Sequence, residues 1–297
     1  MKLRHGQAVA LMVLVTFLWA TAGVVTRQLQ QAQSFEVTFW RSFFTFVSLC
    51  VILPLWQGPG LFQRMRQEGW VLWASGACWA VMFTAFMVAL TLASVANVLV
   101  TMAAGPLLTA LVSRVLIGHQ IPRRTWLAIG FAAAGIGWMF GRQLGEGSWL
   151  GSAVAFAVPV AGALNWTLVQ HSHATGHDVD LVPAVLIGGL LSAVATLPLA
   201  WPLQASAHDV VWLAGLGVGQ LAVPCVLSVV CARALSAPEV SLLALLEVLF
   251  GIAMAWWGAN EVPQAYVLQG GALVLGALVA NEWLGHRQRK QVSGCGP

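Results

Sequence analysis

The sequence predicts an all-α integral membrane fold of ten transmembrane helices, arranged as two inverted five-helix repeats. Three observations carry that expectation. First, 59% of the 297 residues are apolar and only 8% are charged, whereas soluble domains run near roughly 45–50% and about 25%. A soluble core that apolar would leave too few polar side chains to coat its surface, and lipid removes the requirement. Second, the apolar residues fall into ten runs, about 7–28, 36–56, 69–91, 95–117, 124–141, 148–170, 181–202, 210–232, 239–258 and 264–284. Each is close to the roughly 20 residues that one bilayer crossing needs. Third, the second half of the chain echoes the first.

The segments differ in what they carry. The first is too long for a signal-peptide core and ends in Thr21, Thr26 and Arg27, so it reads as a retained helix. It also places Trp19 deep in the segment. The second holds Arg41, and the third opens on Trp70 and Trp73 and holds Trp79. The fourth presents Asn97, Thr101 and Gly105 at i, i+4 steps, on one helix face. The fifth is Gly-rich. The sixth contains Pro159, Asn165 and Trp166, the seventh Gly188-Gly189, and the eighth Gln220 and Pro224. Glu247 lies midway along the ninth among Leu245, Leu246, Val248 and Leu249, and the tenth holds Gly270-Gly271.

Lysine and arginine orient the set, because cytoplasmic loops retain them. With the N-terminus inside, ten fall on the inner side: Lys2, Arg4, Arg64, Arg66, Arg123, Arg124, Arg233, Arg287, Arg289 and Lys290. Arg27 and Arg142 fall outside, at helix ends. Both termini are therefore expected in the cytoplasm. Many of the 15 tryptophans, Trp56, Trp126, Trp201 and Trp283 among them, stand near segment ends as an interfacial belt. The net charge of +4 sits at helix ends rather than along a solvated face, which excludes a nucleic-acid partner. Lipid and a small-molecule substrate are the expected partners, and nothing in the sequence indicates an oligomeric state.

The repeat is visible without gaps. Residues 94–122 lie on 236–264 at a constant offset of 142, so that Ser94 meets Ser236, Asn97 meets Glu239 and His119 meets Glu261. Trp19 of the first helix has a counterpart in Trp166 of the sixth. The boundary divides the chain into 1–145 and 146–297. Five crossings per copy is an odd number, so the second copy enters the membrane from the opposite side. Inverted repeats of this kind are typical of secondary transporters, with a site near the midplane between the halves.

In the order Trp19-Ala20, Arg41, Gly105-Pro106, Asn165-Trp166, Leu246-Glu247-Val248 and Glu261, the chain resembles the drug/metabolite transporter superfamily of the EamA type, over roughly residues 8–285. Ala20 and Val248 replace a glycine and a proline of that pattern, and His119 stands where its first half carries a glutamate. The resemblance implies export of amino acids or related small metabolites. It also implies a cavity lined mainly by helices one, three, four, six, eight and nine.

Ionisable groups at mid-membrane cost about 2.5–3.5 kcal/mol on insertion scales, so they are usually buried in the bundle and paired. Glu247 reads either as a proton carrier or ligand for a substrate amine, or as a packing carboxyl hydrogen-bonded to a neighbour such as Arg41. Arg41 reads as a clamp on a substrate carboxylate or as part of a fixed ion pair. Asn97 and Thr101 face the cavity or a close helix seam. Trp19, Trp79 and Trp166 line the cavity or fill the interior, and Asn165 and Gln220 mark kinks where the backbone is loosened. Coupling is open between proton exchange at Glu247 and downhill export.

No metal or other cofactor is expected. His171, His173, His177, Asp178 and Asp180 cluster in a loop that reads as solvated, and the five cysteines include no CxxC pair. An intramembrane enzyme lacks its signature here, since GxSxG and HExxH are absent. A channel would want a continuous polar pore, and a non-transporting membrane subunit is the remaining alternative.

Overall fold

Away from water a backbone amide must pair within its own segment, and a helix is the local way to do so. A computed structural model describes residues 4–117, 122–143, 149–174, 180–231, 234 and 237–293, and all its regular structure is helical. In chain order the helices are α1 (His5–Thr26), α2 (Ser34–Gln57), α3 (Leu61–Gln67), α4 (Trp70–Leu92), α5 (Val95–Met102), α6 (Gly105–Ile117) and α7 (Arg123–Gln143). There follow α8 (Trp149–Ala174), α9 (Val182–Ala200), α10 (Ala207–Gly215), a π-helix (Leu216–Ala222), α11 (Val223–Cys231), α12 (Ala237–Ala259) and α13 (Ala265–Ser293).

Among the described residues seven stretches are long and apolar enough to cross a membrane: α1, α2, α4, α5 with α6, α8, α9, and α10 through α11. Three shorter apolar stretches, Trp126–Trp138, Leu246–Ala259 and Ala265–Asn281, lie within α7, α12 and α13. Seven of the ten expected runs are thus met by helices long and apolar enough to cross, and in the other three the apolar stretch is shorter. The short α3, with Arg64 and Arg66 in its last turn, is an addition that its seven residues hide from any periodicity argument.

Two crossings are broken, each beside a proline. Pro106 has no N–H to offer the preceding turn and its ring clashes with the carbonyl four residues back. The helix accordingly stops at Met102 and restarts at Gly105, with tight turns in which Ala104 N donates to Thr101 O at 3.3 Å and Leu107 N to Ala104 O at 3.1 Å. Pro224 likewise cannot donate, and the turn before it widens into the π-helix, whose last N–H, on Val223, reaches Val218 O.

Small residues let the helices approach closely, which is the main source of attraction when lipid is as apolar as leucine. Gly188 of α9 faces the Trp79 Cβ of α4, and Gly135 of α7 faces the Gly270 carbonyl of α13. Through such contacts α4 packs between α8 and α9, α2 lies on α9, α13 on α7, and α1 runs along α12 and α11. The largest apolar cluster, including Leu90, Val98, Leu99, Ala255 and Val274, occupies the end of the bundle where Arg27 lies. A second, around Leu49, Leu72, Ile187 and Leu221, lies toward α3 and its Arg64.

The two ends of the bundle differ. At the Arg27 end α12 packs against α5. At the Arg64 end α6 packs on α8, where Ser113 and Thr167 hydroxyls are 3.2 Å apart, as α5 also packs on α8, while α1 runs along α12 from one end to the other. Among the described residues no packed seam joins α6 to α12.

Candidate functional site

Arg41 sits seven residues into α2 and is among the largest side chains that the fold buries completely, at 2% exposure. The backbone around it is fixed from the π-helix. Gly217 approaches so closely that a Cβ there would lie 2.7 Å from the Arg41 carbonyl oxygen. Thr45 donates its hydroxyl to that carbonyl at 2.8 Å and to Gly217 O at 3.0 Å. A π-turn leaves carbonyls without their usual helical donor, and Gly217 O finds one across the seam.

The guanidinium itself is far less satisfied. Its Nε and Nη1 are buried and have no hydrogen-bond partner among the described residues. The rings of Phe83 and Phe86 on α4 lie 6.0 and 5.6 Å from its central carbon, within cation–π range. Glu247 of α12 and the Cys225 thiol of α11 lie close enough to it to act on its charge, and Trp19 lies beside Cys225. Glu247 as a residue is half-buried, midway along α12.

Gln220 completes the group. The π-helix turns its side chain toward α1, where Nε2 donates to the Trp19 carbonyl at 3.2 Å while Oε1 stays buried and unpartnered. The fold thus brings together Arg41, Glu247, Trp19 and Gln220 from four crossings, with Phe83, Phe86 and Cys225 around them. Chemically this is one cation, one ionisable acid and one free amide acceptor inside an aromatic wall. A buried N–H without an acceptor costs about 1–3 kcal/mol, and more when charged, so a carboxylate seated on Arg41 would relieve a standing penalty.

The remaining sequence candidates lie in helix seams. Asn97 of α5 donates its amide to Ser152 of α8, and its Oδ1 is unpartnered. Thr101 is fully buried and returns its hydroxyl to the Asn97 carbonyl at 2.8 Å. Asn165 of α8 accepts from the Ser75 hydroxyl of α4 at 2.6 Å. Trp79 packs between α4 and α9 with its ring centre 5.4 Å from that of Phe83, and Trp166 is half-buried on α8. Of the stretch expected as a histidine-rich loop, residues 171–174 instead continue α8, with side chains outside the described residues, as are residues 175–179 and His119. Asp180 accepts from Gln57 at 2.9 Å. The described residues contain no group of acids, histidines and cysteines able to hold a metal ion.

Phe83, Phe86 and Cys225 were not singled out by sequence as site residues. Their signal was available only as position: 83 and 86 are one turn apart on α4, a turn beyond Trp79.

The model of the EamA-like transporter family, a family of transporters rather than enzymes, matches residues 6–141, consistent with the EamA type of the drug/metabolite transporter superfamily. No curated protein matches the chain. Eleven solved chains do. One of them, described only as a crystal structure of a protein, is 17% identical with a TM-score of 0.62, over 94% of this chain and 98% of that one. At that identity the likeness is one of fold.

Proposed function

We propose that this multi-pass membrane protein, EamA-like over residues 6–141, is a secondary transporter that exports small metabolites from a bacterial cell, amino acids or related compounds foremost. The observation that carries the reading is the buried Arg41 guanidinium, with two unpartnered N–H groups, beside the half-buried Glu247 and the free Gln220 acceptor. A zwitterion meets each need at once. Its carboxylate lies on Arg41, whose planar fork suits carboxylates. Its ammonium lies toward Glu247 and Gln220 Oε1, and its side chain lies against Phe83, Phe86 and Trp19.

The ten crossings are the seven long apolar stretches plus α7, α12 and α13, in halves 1–145 and 146–297. Packing fits an inverted repeat, since α1 against α12 has its counterpart in α8 against α5 and α6. The basic residues put the N-terminus, the C-terminus and Arg64 in the cytoplasm and Arg27 outside. Substrate then enters from the cytoplasm, between α6 and α12, and leaves when the halves rock about Arg41 and Glu247. Protonation of Glu247 supplies one route for coupling export to proton entry.

Counterflow in proteoliposomes tests this. Vesicles preloaded with one unlabelled amino acid should accumulate the labelled partner, with phenylalanine, tryptophan, threonine and cysteine tried first. Arg41→Lys should raise the half-saturating concentration at least about tenfold, the loss of one good charge-assisted contact. Glu247→Gln should flatten the pH dependence. Accumulation of none of these compounds, or of amines and carboxylates equally well in both variants, would remove the zwitterion reading.

A further inference from the structure

Contacts at the Arg27 end converge on two charged side chains. Arg27, the first residue after α1, donates from Nε to Glu261 Oε2 at 2.9 Å, from Nη1 to the Leu90 carbonyl at 2.8 Å and from Nη2 to the Ala93 carbonyl at 3.0 Å. The other Glu261 oxygen accepts the N–H of Val95 at 2.6 Å. Val95 is the first residue of α5, where amides have no partner within the helix and an acid is favoured. One ion pair therefore binds the ends of α1, α4 and α5 to the segment that follows α12.

The chain is shaped to deliver Glu261 there. Asn260 takes a left-handed turn at φ 52°, and Glu261 N donates back to Ala255 O at 3.0 Å, a motif that reverses a helix end. Beneath the pair the helices touch: a Cβ on Gly251 of α12 would overlap Leu99 of α5, and one on Gly258 would crowd Val24 of α1. At the opposite end, among the described residues, no packed seam joins α6 to α12.

We infer that Arg27 and Glu261 form a latch that closes the Arg27 end of the cavity and has to part before Arg41 and Glu247 are reached from that side. The inference rests on the alternating-access reading above. Sharing of acceptors makes the latch cooperative. Withdrawing Glu261 releases a cation and a helix N-terminus together, and withdrawing Arg27 frees two carbonyls and a carboxylate. Loss of either side chain shifts the population toward the state open at the Arg27 end and closed at the other.

The test reads accessibility and needs no substrate. Gly105, at the break between α5 and α6, is half-buried, and a Cβ added there would meet the Pro159 Cβ at 3.8 Å. Gly105→Cys, in a full-length chain whose native cysteines are replaced by alanine, is labelled with a membrane-impermeant maleimide from each face. With the latch intact, labelling should come from the Arg64 face. Glu261→Ala and Arg27→Ala should raise the rate from the Arg27 face about tenfold and lower it from the other. Arg27→Lys and Glu261→Gln, which keep part of the contact set and the fold, should give smaller shifts in the same sense.

An unchanged face preference overturns the latch. So does an equal rise from both faces in the two mild variants, which is the mark of a pair that merely stabilises the fold. A face-selective shift without counterflow leaves the latch standing and removes the exporter reading, and counterflow without the shift does the reverse.

Discussion

Glu36 and Asp209 each hold the loop that lies beside the other. The Glu36 carboxylate accepts the backbone N–H groups of Gln204, at 2.9 and 3.0 Å to its two oxygens, and of Ala205 at 2.7 Å. Asp209, in the first turn of α10, accepts those of Gln30 and Gln31 at 2.9 Å and Ala32 at 3.0 Å. Both acids are buried, at 1% and 0% exposure. Each is held by backbone N–H dipoles, with His208 Nδ1 a further 3.5 Å neighbour of Asp209 Oδ1, and together they fasten the α1–α2 connection to the α9–α10 connection.

Glu36→Gln and Asp209→Asn should therefore each cost about 1–3 kcal/mol, because an amide turns donors toward donors and leaves buried N–H groups without acceptors. The two losses should couple by at least about 0.5 kcal/mol, since they share one pair of loops. Thermal unfolding of the singles and the double in detergent measures both quantities, and strict additivity would mean that the loops are braced separately.

Gly217→Val should loosen the site without touching it. A side chain at 217 meets the Arg41 carbonyl, the Phe44 Cβ and the Thr45 nitrogen, so the π-helix must move off α2. Overpacking of this kind costs about 1–3 kcal/mol. Because Gln220 lies on the same turn, substrate-induced thermal stabilisation should fall along with the basal melting temperature. A full substrate-induced shift on a lowered baseline would show that Gln220 does not contribute.

Arg41→Met with Glu247→Gln should separate function from stability. Replacing buried charges by apolar or neutral groups of similar size is often neutral, or stabilising by about 1–4 kcal/mol. The double variant should melt at or above the parent temperature and yet fail in counterflow. A drop of several degrees would assign the pair a structural role instead.

Asn97→Ala should behave in the opposite way. Asn97 joins α5 to Ser152 of α8 inside a seam, so its loss should cost about 1 kcal/mol of stability and leave the half-saturating substrate concentration unchanged. A change in apparent affinity at constant stability would move Asn97 into the cavity.

A reporter active only in the periplasm, fused after residue 297, should stay silent if ten crossings are made. Activity there would overturn the even count.

Helix positions were legible because the demand on them is one-dimensional: some 20 apolar residues with polar punctuation. Which way each helix faces was not. In a soluble protein the polar side marks the outside, but here lipid and core are equally apolar and the pattern goes flat. Asn97, Thr101 and Asn165 could be placed on faces and not assigned to seams for that reason. Gln220 and Pro224 mark a loosened stretch in the sequence, whereas the π-turn that holds Gln220, just before Pro224, and that joins Gly217 to Thr45, is a response to a neighbouring helix that no local pattern encodes. Arg27 stood out as one of two basic residues on the wrong side of the charge pattern. Its partner lies 234 residues away, beyond the reach of spacing arguments.

That distance bears on how the protein is made. When a ribosome has delivered α1 through α5 to the membrane, Arg27 can already grip the carbonyls of Leu90 and Ala93, but Glu261 does not yet exist. The N–H groups that Glu36 will hold are 168 and 169 residues downstream of it, and those of residues 30–32 wait for Asp209. The earlier part of the chain is thus synthesised with its fasteners open, and it reaches its final form only once α12 and the Glu261 that follows it have emerged. A chain truncated after residue 141 should insert and remain loose, a fit substrate for membrane quality control, and supplying 146–297 as a second polypeptide should rescue it.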